Sequence, residues 1–95
     1  MAGKIVTLHP DPEKHGVSIS AAKYELVRLA ILDTLQQHGE MTFEELAVAV
    51  EARLAGKFDG SIRWYYTTVK LDLEARHLIE RLPGSRPQRI RLADG

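Results

Sequence analysis

The run LIERLPGSRPQRIRL, residues 78–92, narrows the available folds more than any other stretch of this chain. Pro83 and Pro87 bar a helix across it, and Gly84 between them supplies a turn. Beyond the turn, Ile90 and Leu92 alternate with Arg89 and Arg91, which is the period of a half-buried strand. Two short strands joined in this way form a hairpin with basic residues at its tip and along one face. A lone hairpin is marginal in water and needs an apolar surface to lie on. That surface has to come from the residues upstream.

Three helices are legible there. Ser20 stands as an N-cap, with Ile19 before it and Tyr24 four positions after it at the spacing of a hydrophobic staple. Tyr24, Val27, Ile31 and Leu35 then recur at helical spacing, flanked by Leu26, Leu29, Ala30 and Leu32, until Gly39 stops the helix. An apolar surface that wide predicts a central helix. In MTFEEL, residues 41–46, Thr42 and Glu45 have the spacing of a capping box and Met41 and Leu46 that of a staple, so a second helix starts here and runs to Gly56. After KFDG a third helix, capped by Asp59 or Ser61, continues to about His77. Pro10 and Pro12 exclude a helix near the start, so residues 1–19 read as an N-terminal arm with room for a short strand at KIVTL. Residues 20–95 read as one α+β, mainly α, domain.

Composition removes several function classes. The chain has no cysteine, hence no disulfide framework and no thiolate chemistry, which suits a reducing cytoplasm. No segment approaches the roughly 18 consecutive apolar residues of a membrane span, and the first residues lack the apolar run of a signal peptide. A cytoplasmic protein without membrane contact is expected. His9 and His15 with Asp11 and Glu13 match no metal-ligand spacing, so no metal is expected. Glu44 and Glu45 open a helix and serve its cap and dipole, so they do not read as a catalytic carboxylate pair. No phosphate loop, nucleophile elbow or triad spacing is present, so the chain reads as a non-enzyme without a cofactor, and no small-molecule ligand is inferable.

Net charge is zero, but its distribution is uneven. Residues 1–60 carry six Lys and Arg against nine Asp and Glu, whereas residues 61–91 carry seven against three. An anionic partner would therefore meet the C-terminal third.

The order helix, helix, helix, hairpin resembles the winged helix-turn-helix fold, three helices plus a C-terminal β-hairpin wing. The local match is TVKLDLEARHLIERLPGSRPQRIRL: Leu73, Glu74, Leu78, Ile79 and Arg81 resemble the run by which the third helix of the multiple-antibiotic-resistance repressors passes into its wing, with His77 where those families have glycine. The arm TLHPDP and the block WYYTTVKLDLEAR are also similar to a small uncharacterised bacterial family of single-domain proteins of about this length. The resemblance implies a DNA-binding transcriptional regulator, as a dimer, with helix three in the major groove of duplex DNA and the wing on the backbone. Arg63, Tyr65, Thr67, Thr68 and Lys70 on helix three, with Arg86, Arg89 and Arg91 on the hairpin, are then the candidate contacts.

Geometry opens a second reading. On a helical wheel Ile62, Tyr66, Val69 and Leu73 form the core face of helix three, and Arg63, Thr67, Lys70, Glu74 and His77 form a polar stripe beside it. Trp64, Leu71, Ala75 and Leu78 form a second apolar stripe almost opposite the first. If the monomer leaves Trp64 and Leu71 open, they mark a protein contact, either a homodimer or another partner, with no need for DNA.

Overall fold

The computed structural model describes residues 3–84 and 86–93, which form three helices and two small sheets. Helices make up roughly half of the chain, so the class is α+β. No helix among the described residues is long and apolar enough to cross a membrane.

Helix α1, Ala21–His38, begins at Ser20, whose hydroxyl accepts the Lys23 N–H at 3.3 Å, and ends at Gly39, whose φ of 73° is a left-handed stop. Strand β3 is only Met41–Thr42. Helix α2, Phe43–Leu54, carries the complete expected capping box: Thr42 Oγ1 accepts the Glu45 N–H at 3.1 Å, and Glu45 Oε1 accepts the Thr42 N–H at 2.9 Å. Of the two caps open for α3, Ile62–Ala75, the cap is Ser61, which accepts the Trp64 N–H at 3.1 Å.

The end of α3 departs from the usual residue while keeping its geometry. His77 holds a φ of 63°, the left-handed conformation that glycine adopts without strain. The Leu78 N–H reaches the Leu73 carbonyl at 2.9 Å and the His77 N–H reaches that of Glu74 at 3.0 Å, the paired bonds of a Schellman stop. This turn sends the chain into β4, Ile79–Arg81, and then back along β5, Arg89–Leu92.

Strand β5 lies in the middle of the sheet order β3-β5-β4, antiparallel to both neighbours. Ile90 is its pivot: it faces Met41 on one side and Arg81 on the other, and it is fully buried. The core beneath joins Val27, Ile31 and Leu35 of α1 to Leu46 and Val50 of α2 and to Tyr66, Val69 and Leu73 of α3. Tyr66 is inward as expected. Its hydroxyl donates to the Phe43 carbonyl at 2.9 Å, and its ring lies 5.1 Å from that of Phe43.

The stretch expected as an arm is a two-stranded antiparallel ribbon. Strand β1, Lys4–Val6, pairs with β2, Ser18–Ser20, in the register Ile5 opposite Ile19. Thr7 extends it: its N–H and its hydroxyl both reach the Val17 carbonyl, and its hydroxyl accepts the Val17 N–H. Ile19 enters the core, so the ribbon is anchored at its base.

Candidate interaction surface around helix α3

Each face of α3 meets a different neighbour. On the α1 side the Asp72 carboxylate is completely buried and takes three donors: the Tyr24 hydroxyl at 2.5 Å, the Leu8 N–H at 2.8 Å and Arg76 Nε at 2.9 Å. One side chain thus ties together α1, α3 and the ribbon. The arrangement suppresses ionisation of Tyr24, whose phenol burial and the Asp72 hydrogen bond push up to about 12. Tyr65 lies on the same side, its ring 5.0 Å from both Phe58 and Trp64 and 5.3 Å from Lys23 Nζ.

Within the stripe expected to be polar, Lys70 and Glu74 are closed off, whereas Arg63 and Thr67 stay partly exposed and His77 is open. Lys70 is 3 % exposed because the hairpin lies over it: Nζ sits 2.7 Å from Gln88 Oε1 and 2.6 Å from Glu74 Oε2. Burial lowers its pKa against the pull of Glu74. Glu74, itself buried, reaches Arg81 Nε at 2.8 Å with its other oxygen. Lys70 therefore holds the hairpin to the helix and presents no charge outward. A wheel of one helix carries no information about a hairpin folding back over it.

Three of the four remaining candidate cations, Arg63, Arg89 and Arg91, face carboxylates of the same chain. Arg63 meets Glu44 through two nitrogens, at 2.9 and 3.1 Å, and Glu51 at 2.8 Å. Those bonds raise its already high pKa and hold Glu44 below the usual carboxylate range. Arg91 reaches Glu80 at 2.5 Å, its direct cross-strand partner, and Arg89 reaches Glu40. Arg86 is exposed at the hairpin turn. Thr67 donates to the Arg63 carbonyl at 3.1 Å. Glu44 and Glu45 sit in the first turn of α2, where Glu44 meets Arg63 and Glu45 closes the capping box.

The outer face of α3 is apolar. Trp64 is 48 % exposed, while Thr68 and Leu71 form one wall of a cavity of about 200 Å³ whose other wall is the ribbon. Leu8 and Val17, 45 % and 40 % exposed, stand on the ribbon side. The structure thus brings Trp64, Thr68 and Leu71 together with residues that sequence reasoning left in the arm. The only local signal for that arrangement was the β-rich KIVTL, because the pairing partner lies more than ten residues away.

Residues 4–90 match a family of unknown function (DUF6958), and the chain belongs to it. No curated protein and no solved structure matches it.

Proposed function

We propose that this chain is a winged-helix module that binds protein, including a second copy of itself, through the outer face of α3 and the ribbon, and that it is a binding protein and not an enzyme. The winged-helix assignment is supported by the succession α1, β3, α2, α3, β4, β5 with sheet order β3-β5-β4, in which the wing leaves α3 directly. The observation that carries the functional reading is the fate of the charges. Arg63 faces two glutamates, Lys70 is buried, and Arg76 and Arg81 face Asp72 and Glu74. A helix meant for phosphate-lined DNA presents open cations and avoids carboxylates. The outer face here offers Trp64, and aromatic side chains of this kind are enriched at protein contacts.

A DNA-binding regulator is the second reading, favoured by Arg86 at the tip of a wing whose strands also carry Arg81, Arg89 and Arg91. Light scattering paired with a low-salt gel shift on duplex DNA separates the two. The first predicts a self-associating wild type, weakened by Trp64→Ala, and no shift. A monomer that shifts duplex DNA and loses the shift on Arg86→Ala overturns it.

A further inference from the structure

The cavity between α3 and the ribbon joins apolar walls to free polar groups. Leu8, Val17 and Leu71 supply aliphatic surface, and Trp64 an indole. His9 and His15 add two further flat rings. At about 200 Å³ it exceeds the roughly 150 Å³ of an apolar cavity that accepts benzene, so one six-membered ring with a small substituent fits. Flat walls favour a flat guest, since aromatic rings gain from offset and edge contacts beyond area alone.

The polar groups set the guest's charge. His9 Nδ1 accepts the Asp11 N–H at 3.0 Å, so in the neutral ring the hydrogen lies on Nε2, a donor. Among the described residues the Thr68 hydroxyl, the His15 ring and the Lys14 ammonium have no hydrogen-bond or ion-pair partner. Lys14 lines the adjoining recess together with His9 and His15. No carboxylate lines either the cavity or that recess. Asp11 lines only the next one, towards Arg81, and its Oδ1 already accepts the Glu13 N–H. Donors and a cation beside an apolar slot call for an acceptor or an anion.

We infer that this cavity is a binding site for a small one-ring aromatic carboxylate, its ring between Trp64, Leu71, Leu8 and Val17 and its carboxylate towards His9, His15 and Lys14. The cavity shares Trp64 and the ribbon with the proposed protein contact, so a bound partner and the carboxylate would compete for this face. An open site of this size binding about nine heavy atoms gives a Kd on the order of 1 mM.

Trp64 is the only tryptophan in the chain, so its fluorescence and its indole N–H resonance report this site alone. The probes are benzoate, benzyl alcohol as ring without charge, and acetate as charge without ring. Benzoate is expected to shift the Trp64 N–H and Thr68 methyl resonances saturably. Benzyl alcohol should bind several-fold more weakly, and acetate should leave both resonances in place. Lys14→Ala, outside the ring slot, should weaken benzoate several-fold and leave benzyl alcohol unchanged. Leu8→Glu or Val17→Glu, both at exposed positions and checked for fold by circular dichroism, should abolish benzoate binding. A non-saturating response to benzoate, an equal response to acetate, benzyl alcohol binding as tightly as benzoate, or unchanged affinity in both glutamate variants overturns the assignment.

Discussion

The Tyr24 hydroxyl donates to Asp72 Oδ2 at 2.5 Å and so joins the first helix to the third across 48 residues of chain. A fully buried carboxylate is tolerated only when its donors are in place, and Tyr24 is one of three. Tyr24→Phe is expected to cost about 2 kcal/mol in urea unfolding, as a hydrogen bond to a charged group is lost from a dry site. Asp72→Ala should cost about 3 kcal/mol and also release the ribbon, read as faster tryptic cleavage after Lys14. Equal cleavage rates would show that Asp72 does not secure the ribbon.

The same pair makes a prediction in alkali. Because the folded phenol is pushed up to about 12 from an ordinary 10.0, the unfolded chain loses the proton first as pH rises. The contribution of Tyr24 is therefore whole below pH 10 and is lost as pH climbs towards 12. Tyr24→Phe should flatten the stability curve in that window; a wild type and variant falling in parallel would contradict it.

Arg63 is held by Glu44 and Glu51, and exposed pairs of this kind exchange readily. Glu44→Gln with Glu51→Gln should tighten low-salt binding to duplex DNA by roughly tenfold relative to wild type, the weight of one or two charge-assisted contacts. Unchanged affinity would mean that these carboxylates do not govern contact with DNA.

His77 occupies a left-handed position. Glycine carries no Cβ penalty there, so His77→Gly should stabilise the fold by about 0.5–1 kcal/mol, and a β-branched His77→Val should destabilise it by about 1–2 kcal/mol. Thermal or urea unfolding of the two variants gives the signs directly.

Lys70 joins α3 to the C-terminal hairpin through Glu74 and Gln88. Lys70→Ala leaves the buried Glu74 with one cation fewer and is expected to cost about 3 kcal/mol, with hydrogen-exchange protection lost first in β4 and β5. Since burial lowers the Lys70 pKa, the folded form gives up its proton before the unfolded one, so its share of stability rises with pH up to the ordinary value of 10.5; the variant should lack that rise.

Local chemistry made most of the architecture legible. Ser20, Thr42 and Ser61 cap their helices by short-range geometry, and the alternation around Ile90 marked the last strand because its period needs no partner. The candidate site was harder to read, for a physical reason. Whether Lys70 faces water depends on Gln88, eighteen positions on, and whether Arg63 is open depends on Glu44 and Glu51 of another helix. The ribbon pairing of Ile5 with Ile19 was equally long-range, and Asp72 showed nothing in the sequence to set it apart from a solvated aspartate.

The position of β5 between β3 and β4 also has a meaning in time. Its two neighbours are made before it, and neither has the other to pair with, so Met41–Thr42 waits as two unpaired residues until 89–92 arrive. Nearly fifty residues separate those partners, and contacts that distant form slowly. Because Ile90 is buried only once 89–92 are in place, the core beneath the sheet closes after all three helices have been made.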